Sequence, residues 1–250
     1  MVTSTIAKTP VLLHGRAVNR VLGQVVTKSQ IAEISWKESG VPVATRFDDP
    51  YFSLDDGLAE TRHVFLSGND LPARFAPGFH IAELGFGTGL NMLATYLSWR
   101  DAGLPTGVRF TSFEAFPMTA DDIAKALEGF PEAQAVSAPF LAAWAGGARA
   151  FDLDGFGVDV IEGDARLTLT GWCEKADAWF LDGFSPAKNP ELWGDDLLMQ
   201  VGAHTAPNGT FATYTAAGFV RRALDVAGFA VERSPGFGRK RHMSRGTLRP

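Results

Sequence analysis

The sequence predicts a doubly wound, mostly parallel α/β sheet with a small N-terminal cap, and three observations predict it. Apolar strand-like runs alternate with helical patterns from residue 79 onward, with no internal repeat. A glycine-rich turn joins the first of those runs to a helix in FHIAELGFGTGLN, residues 79–91. The acids Glu83, Glu114, Asp164 and Asp182 fall at or beside the ends of the first four core strands. In open α/β sheets ligands bind beyond the carboxyl ends of the strands, near the switch in strand order. Four acids at four such ends therefore mark one edge of the sheet as the functional one.

Residues 1–30 are rich in Thr, Val and basic residues, lack periodicity, and are expected to form a poorly ordered tail. Residues 31–78 read as a cap: short strands, among them the run Val64 to Leu66, flanking a helix start near Leu58. The first core strand covers residues 79–84, and the second covers 108–114 and ends in Glu114. Thr119 caps the next helix, whose first turn holds Asp121 and Asp122. Asp154-Gly155 between two strand-like runs signals a hairpin, and the second run leads to Gly163 and Asp164, where another helix begins. Residues 177–182 form a fourth, fully buried strand that opens into GFSPAKNPELW. Cys173 is expected within a helix just before it. A fifth strand (209–215), a helix (216–227) stopped by Gly228, a sixth strand (229–233) and a short last strand after Lys240 complete the domain, residues 79–250.

Composition narrows the function classes. The chain has 250 residues, 46% hydrophobic and 20% charged, which suits a large buried core. A single cysteine leaves no internal disulfide and argues for a reducing compartment. No apolar run approaches the roughly 20 residues of a membrane helix, so no membrane association and a cytoplasmic location are expected. Net charge is −5, the wrong overall sign for nucleic acid, but residues 233–250 carry six basic residues and no acid. The five histidines show no metal-ligand spacing, so no metal is expected. Neither a G-x-S-x-G elbow nor a P-loop occurs.

The glycine loop discriminates among nucleotide ligands. A dinucleotide fingerprint started at Gly85 needs a glycine at position 90, which is Leu. The run is instead Glu83-x-Gly85-x-Gly87-x-Gly89, which resembles the first motif of class I S-adenosylmethionine (SAM) methyltransferases. Glycines there let the backbone approach a ligand closely, and the helix start offers unpaired N–H groups. A glycine turn without a ligand is the bland alternative. Glu114 is suited to ribose hydroxyls, and Asp164 to an adenine amino group or simply to capping its helix. Asp182 is placed to bind an ammonium and take its proton. Tyr51, Phe86 and Phe184 offer aromatic walls, or are only core.

Longer strings carry a more specific resemblance. FDDPYFSLDDGLAETRHVFLSGNDLPARF, ELGFGTGLN, FTSFEAFP, ADAWFLDGFSPAKNPELW, GTFATYTAAGFVRRALDVAGF and GFGRKR are similar to the methyltransferase domain of the MnmC family. The resemblance implies a class I SAM-dependent methyltransferase fold. The implied activity is methylation of the exocyclic amine of 5-aminomethyl-(2-thio)uridine at the tRNA wobble position. It implies SAM on Gly85, Gly87 and Gly89, with Glu114 at the ribose and Asp164 at adenine; Glu83, the acid that leads the glycine run, is counted with them as a cofactor-binding candidate. It puts Asp182 by the amine, within a loop shaped by Pro186, Lys188 and Asn189. Many relatives carry a second, FAD-dependent oxidase domain, whereas this chain ends at Pro250. The expectation is a stand-alone methyltransferase, with no FAD domain in this chain and a separate enzyme supplying the amine. Arg221 and Arg222 on a late helix, with Arg239 and Arg241 in GFGRKR, are the expected tRNA contacts. A SAM-dependent N-methyltransferase acting on a small-molecule or protein amine, or a non-catalytic nucleoside-binding module, are the alternatives.

Overall fold

The computed structural model describes residues 31–53, 56–104 and 107–250. The expectations for the N-terminal tail lie outside these residues. The described chain opens with a three-stranded antiparallel sheet, β1 (Ile34–Trp36), β2 (Pro42–Ala44) and β3 (Asp49–Pro50). Helix α1 (Gly57–Thr61) follows and runs directly into a π-helical turn, Arg62–Leu66. The run Val64 to Leu66, expected as a strand, is therefore helical. Three apolar residues carry no period, and here all three are buried against the main sheet from one turn.

The main sheet begins with β4 (His80–Leu84), the glycine turn and α2 (Leu90–Asp101), then β5 (Arg109–Glu114) and α3 (Ala120–Leu127). Thr119 caps α3 by accepting the Asp122 N–H. Two helices that sequence reasoning passed over, α4 (Pro131–Val136) and α5 (Ala138–Ala145), come next. Strands β6 (Ala150–Leu153) and β7 (Phe156–Glu162) make the Asp-Gly hairpin, with Asp154 at φ 54° and Gly155 at φ 93°. Both central residues lie at positive φ, as a turn matched to strand twist requires. After α6 (Ala165–Thr168) a 3₁₀ turn ends at Gly171, so Cys173 stands exposed in the connection before the next strand and not in a helix. The order continues with β8 (Ala176–Leu181), α7 (Asp195–Ala203), β9 (Thr205–Thr213), α8 (Gly218–Val226), β10 (Phe229–Pro235) and β11 (His242–Leu248).

The eight strands lie in the order β10-β11-β9-β8-β4-β5-β7-β6. Strands β9, β8, β4, β5 and β7 run parallel, while β11 and β6 pair antiparallel to their neighbours. Side-chain alternation builds two cores. Ile81 of β4 and Ala178 and Phe180 of β8 face one apolar cluster with α2 and the cap. Ala82, Leu84, Trp179 and Leu181 face another with α7 and α8. The strand order reverses at β4, whose neighbours β5 and β8 lead away in opposite directions. The crevice above β4 is where such folds place a ligand.

Candidate active site

A cleft of about 1850 Å³ opens there, walled by the glycine turn, the ends of β5, β7 and β8, and the cap. Gly85, Gly87 and Gly89 all have positive φ, 86°, 53° and 73°. At Gly87 an added Cβ would sit 3.2 Å from the Tyr51 ring, so the turn and the cap can meet only through glycine.

Glu114 ends β5 and lines the cleft. Its Oε2 accepts the Gly87 N–H at 2.9 Å and its Oε1 accepts the Phe116 N–H at 2.7 Å. The carboxylate thus fixes the glycine turn and keeps lone pairs for a ligand. Burial pushes its pKa up, and the backbone donors oppose that. Asp164 also lines the cleft. It caps α6 through the Arg166 N–H at 2.9 Å, and its side chain pairs with the Arg166 guanidinium at 2.5 Å, which holds it below the usual carboxylate range.

Glu83 requires a correction. It is fully buried behind the cleft wall, with one oxygen taken by Asn91 at 2.8 Å and the other by the Ser112 hydroxyl at 2.7 Å. Its strand position puts it one residue before the end, and burial pushes its pKa well above the ordinary value. It braces the site and offers no oxygen to a ligand.

Asp182 is the first residue after β8 and sits at the base of the cleft. Its Oδ1 accepts the Gly183 N–H at 2.8 Å and its Oδ2 accepts the Asn91 Nδ2–H at 2.7 Å. Asn91 is oriented in turn by the Thr61 hydroxyl, which donates to its Oδ1 at 2.7 Å. One amide therefore donates to both Glu83 and Asp182. Burial pushes Asp182 up to about 6, the range of a general base working near neutrality.

The loop after Asp182 is held from three sides. Tyr214 donates to the Gly183 carbonyl at 2.9 Å, the Trp193 indole N–H donates to the Phe184 carbonyl at 2.9 Å, and the Ser185 N–H donates to Asp49 of the cap at 2.7 Å. Phe184 stacks on Phe47, 4.6 Å between ring centroids, and meets Tyr51 edge-on at 5.1 Å; all three line the cleft. Phe86 also reaches the wall but is mostly spent on stacking with Trp144. Asn189 lines the cleft, whereas Pro186 and Lys188 do not. The Lys188 ammonium binds Asp48 at 2.6 Å on the outside, so it ties the loop to the cap. Arg221, Arg239 and Arg241 are likewise off the cleft wall.

Sequence reasoning missed Asn91, and it grouped Lys240 with Arg239 and Arg241 as an RNA-facing basic segment, whereas both Asn91 and Lys240 stand on the wall. An amide in the first turn after a glycine loop was a usable signal for Asn91. Nothing local tells that Lys240, exposed as it is, reaches the cleft wall, because its direction comes from the distant partner Glu60, 2.6 Å away.

Among known proteins, residues 128–249 match a family described as S-adenosyl-L-methionine-dependent methyltransferase. The chain is 47% identical over 219 residues to the tRNA 5-methylaminomethyl-2-thiouridine biosynthesis bifunctional protein MnmC of Caulobacter sp. (strain K31), covering 82% of this chain and 36% of that protein. It is 44% identical over 232 residues to the protein of the same description from Aeromonas hydrophila subsp. hydrophila, covering 86% of this chain and 35% of that one. The chain thus spans little more than a third of the length of these relatives. Among solved structures it resembles MNMC2 from Aquifex aeolicus, with a TM-score of 0.71 and 26% identity over 89% of this chain and 72% of that one.

Proposed function

The chain belongs to the MnmC family of SAM-dependent methyltransferases, and we propose that it methylates the exocyclic amine of 5-aminomethyl-(2-thio)uridine at the wobble position of tRNA. The observation that carries this reading is Asp182: a half-buried carboxylate, pushed up to about 6, at the base of the cleft that also holds the glycine turn.

The residues present suit the donor. Gly85, Gly87 and Gly89 bring backbone into the cleft without side chains, Glu114 keeps lone pairs for ribose hydroxyls, and Asp164 stands at the adenine end. When bound, SAM supplies a methyl group activated by its sulfonium. What the protein must add is alignment and a neutral amine. Asp182 binds the incoming ammonium, takes one proton and leaves the nitrogen its lone pair. Phe47, Tyr51 and Phe184 present faces on which a uracil ring stacks and from which water is excluded. The amine has to be exposed by a preceding reaction, and functional coupling to the enzyme that performs it belongs to the proposal, as does a cytoplasmic location. Among the described residues, no helix is long and apolar enough to cross a membrane.

Methyl transfer from labelled SAM to bulk tRNA lacking the modification tests the reading. Label in the RNA supports it. Label in protein or small molecules instead points to a different amine acceptor, and no transfer at all points to a nucleoside-binding module.

A further inference from the structure

Lys240 lies in the connection between β10 and β11, residues 236–241, which reads GFGRKR. This turn folds back onto the cap and is pinned at three points. The Pro235 carbonyl is 2.9 Å from His63 Nε2, the Phe237 ring lies against the first core and 5.9 Å from His63, and the Lys240 ammonium binds Glu60 Oε1 at 2.6 Å. Its flanking residues Arg239 and Arg241 point to solvent. Lys240 alone of the three basic residues lines the cleft, with Nζ 4.4 Å from the centroid of the Tyr214 ring. Tyr214 in turn donates to the carbonyl of Gly183, the residue next to Asp182. An ammonium is thus fixed on the same wall as the candidate base.

We infer that Lys240 sets the proton balance of the acceptor amine: its fixed positive charge keeps Asp182 ionised and disfavours a second ammonium beside it, so that the amine is held neutral. This rests on the reading of Asp182 as the base for an amine. A cation lowers the pKa of a neighbouring ammonium and favours a neighbouring carboxylate. In the balanced step the substrate ammonium gives one proton to the Asp182 carboxylate. The nitrogen lone pair then forms the new bond to the methyl carbon while the sulfur keeps the electron pair of the bond that breaks. The product leaves as a secondary ammonium.

The other charges facing this point are Glu60 from α1, Asp49 from the cap, Glu114 from β5 and buried Glu83 from β4. Asn91 and Tyr214 contribute neutral dipoles. Glu60 opposes Lys240, but Lys240 acts on Asp182 the more strongly of the two, so the pair presents its positive end to the base.

The test uses the intact protein as wild type, Lys240→Gln and Lys240→Arg. Carboxyl NMR titration, with Asp182 assigned from Asp182→Asn, reads the free enzyme. In Lys240→Gln the Asp182 midpoint should rise by at least about 0.5 pH unit, and in Lys240→Arg it should stay within about 0.2 of wild type. The acid limb of kcat on aminomethyluridine tRNA should move up by a similar amount, with activity regained at higher pH. A lysine that only pins the turn would lower the melting temperature and leave both titrations in place, which overturns the inference. If wild type transfers no methyl group to that RNA, the proposed function fails, while the NMR arm still decides the effect of Lys240 on Asp182.

Discussion

Asp182 works as a base only when ionised, and its burial opposes ionisation. The carboxyl moves from an ordinary 3.8 to about 6, so the active fraction grows as pH rises through about 6. Turnover should therefore climb roughly tenfold per pH unit below that value and level off above it. Asp182→Asn should bind SAM normally and lose turnover at every pH; near-normal rates would show that the amine arrives neutral without this side chain. The linkage to stability has the opposite sense. The folded state holds this proton more tightly than the unfolded chain, so stability falls as pH rises from about 4 to about 6, and Asp182→Asn should remove that slope from denaturant titrations. Glu114 answers to a different measurement. Truncating it to Ala removes the acceptor for Gly87 and the proposed ribose contact together, which should weaken SAM by about 1.5–3 kcal/mol. Calorimetry showing unchanged affinity removes Glu114 from the donor site.

The cap and the loop after β8 act as one element. Phe47 stacks on Phe184, the Ser185 N–H donates to Asp49, and Lys188 reaches Asp48. The last pair is an exposed salt bridge screened by solvent, so the Asp49 bond is the stronger tie. Asp49→Ala should free the loop that carries Phe184 and raise KM for the RNA acceptor several-fold with little change in melting temperature. Asp49→Asn, which keeps an acceptor oxygen, should restore it, and equal KM values in all three proteins would exclude the tie. These cross-chain contacts mark the limit of what sequence shows. The alternation of strands with helices, the Asp-Gly hairpin and the Thr119 cap are local signals and were legible. Val64 to Leu66 is too short to have a period, and β11, expected to be short, is a seven-residue antiparallel strand because its partners are β10 and β9. Glu83 and Glu114 both stand at strand ends in sequence. They also share a face of the sheet, since Glu83 pairs with Ser112, two residues before Glu114; only depth separates them, Glu83 lying one residue short of its strand end and behind the wall, Glu114 at its own end and in the cleft.

At the scale of the whole molecule, a chain of net charge −5 has to hold RNA through local patches. Counting basic residues from 233 to 250 overstates that patch. Arg245 is paired with Asp70 and Glu232, Arg249 with Asp225, and Lys240 with Glu60, and none of the three projects freely toward a phosphate. Arg233, Arg239 and Arg241 take part in no ion pair among the described residues, and all three are exposed. They sit on the β10–β11 hairpin, whose turn also delivers Lys240 to the cleft, so phosphates bound there would bring an RNA loop toward Asp182. Arg221 is a weaker candidate, since it is half-buried on α8 with its Nε sealed from solvent and without a hydrogen bond. A double variant, Arg239→Ala with Arg241→Ala, should weaken tRNA binding and flatten the dependence of log K on log salt by about one contact for each arginine. Arg245→Ala should leave the slope unchanged, because that guanidinium is already committed to two carboxylates. SAM affinity should be the same in all of them. A wild-type salt slope in the double variant would place the RNA surface elsewhere than on this hairpin.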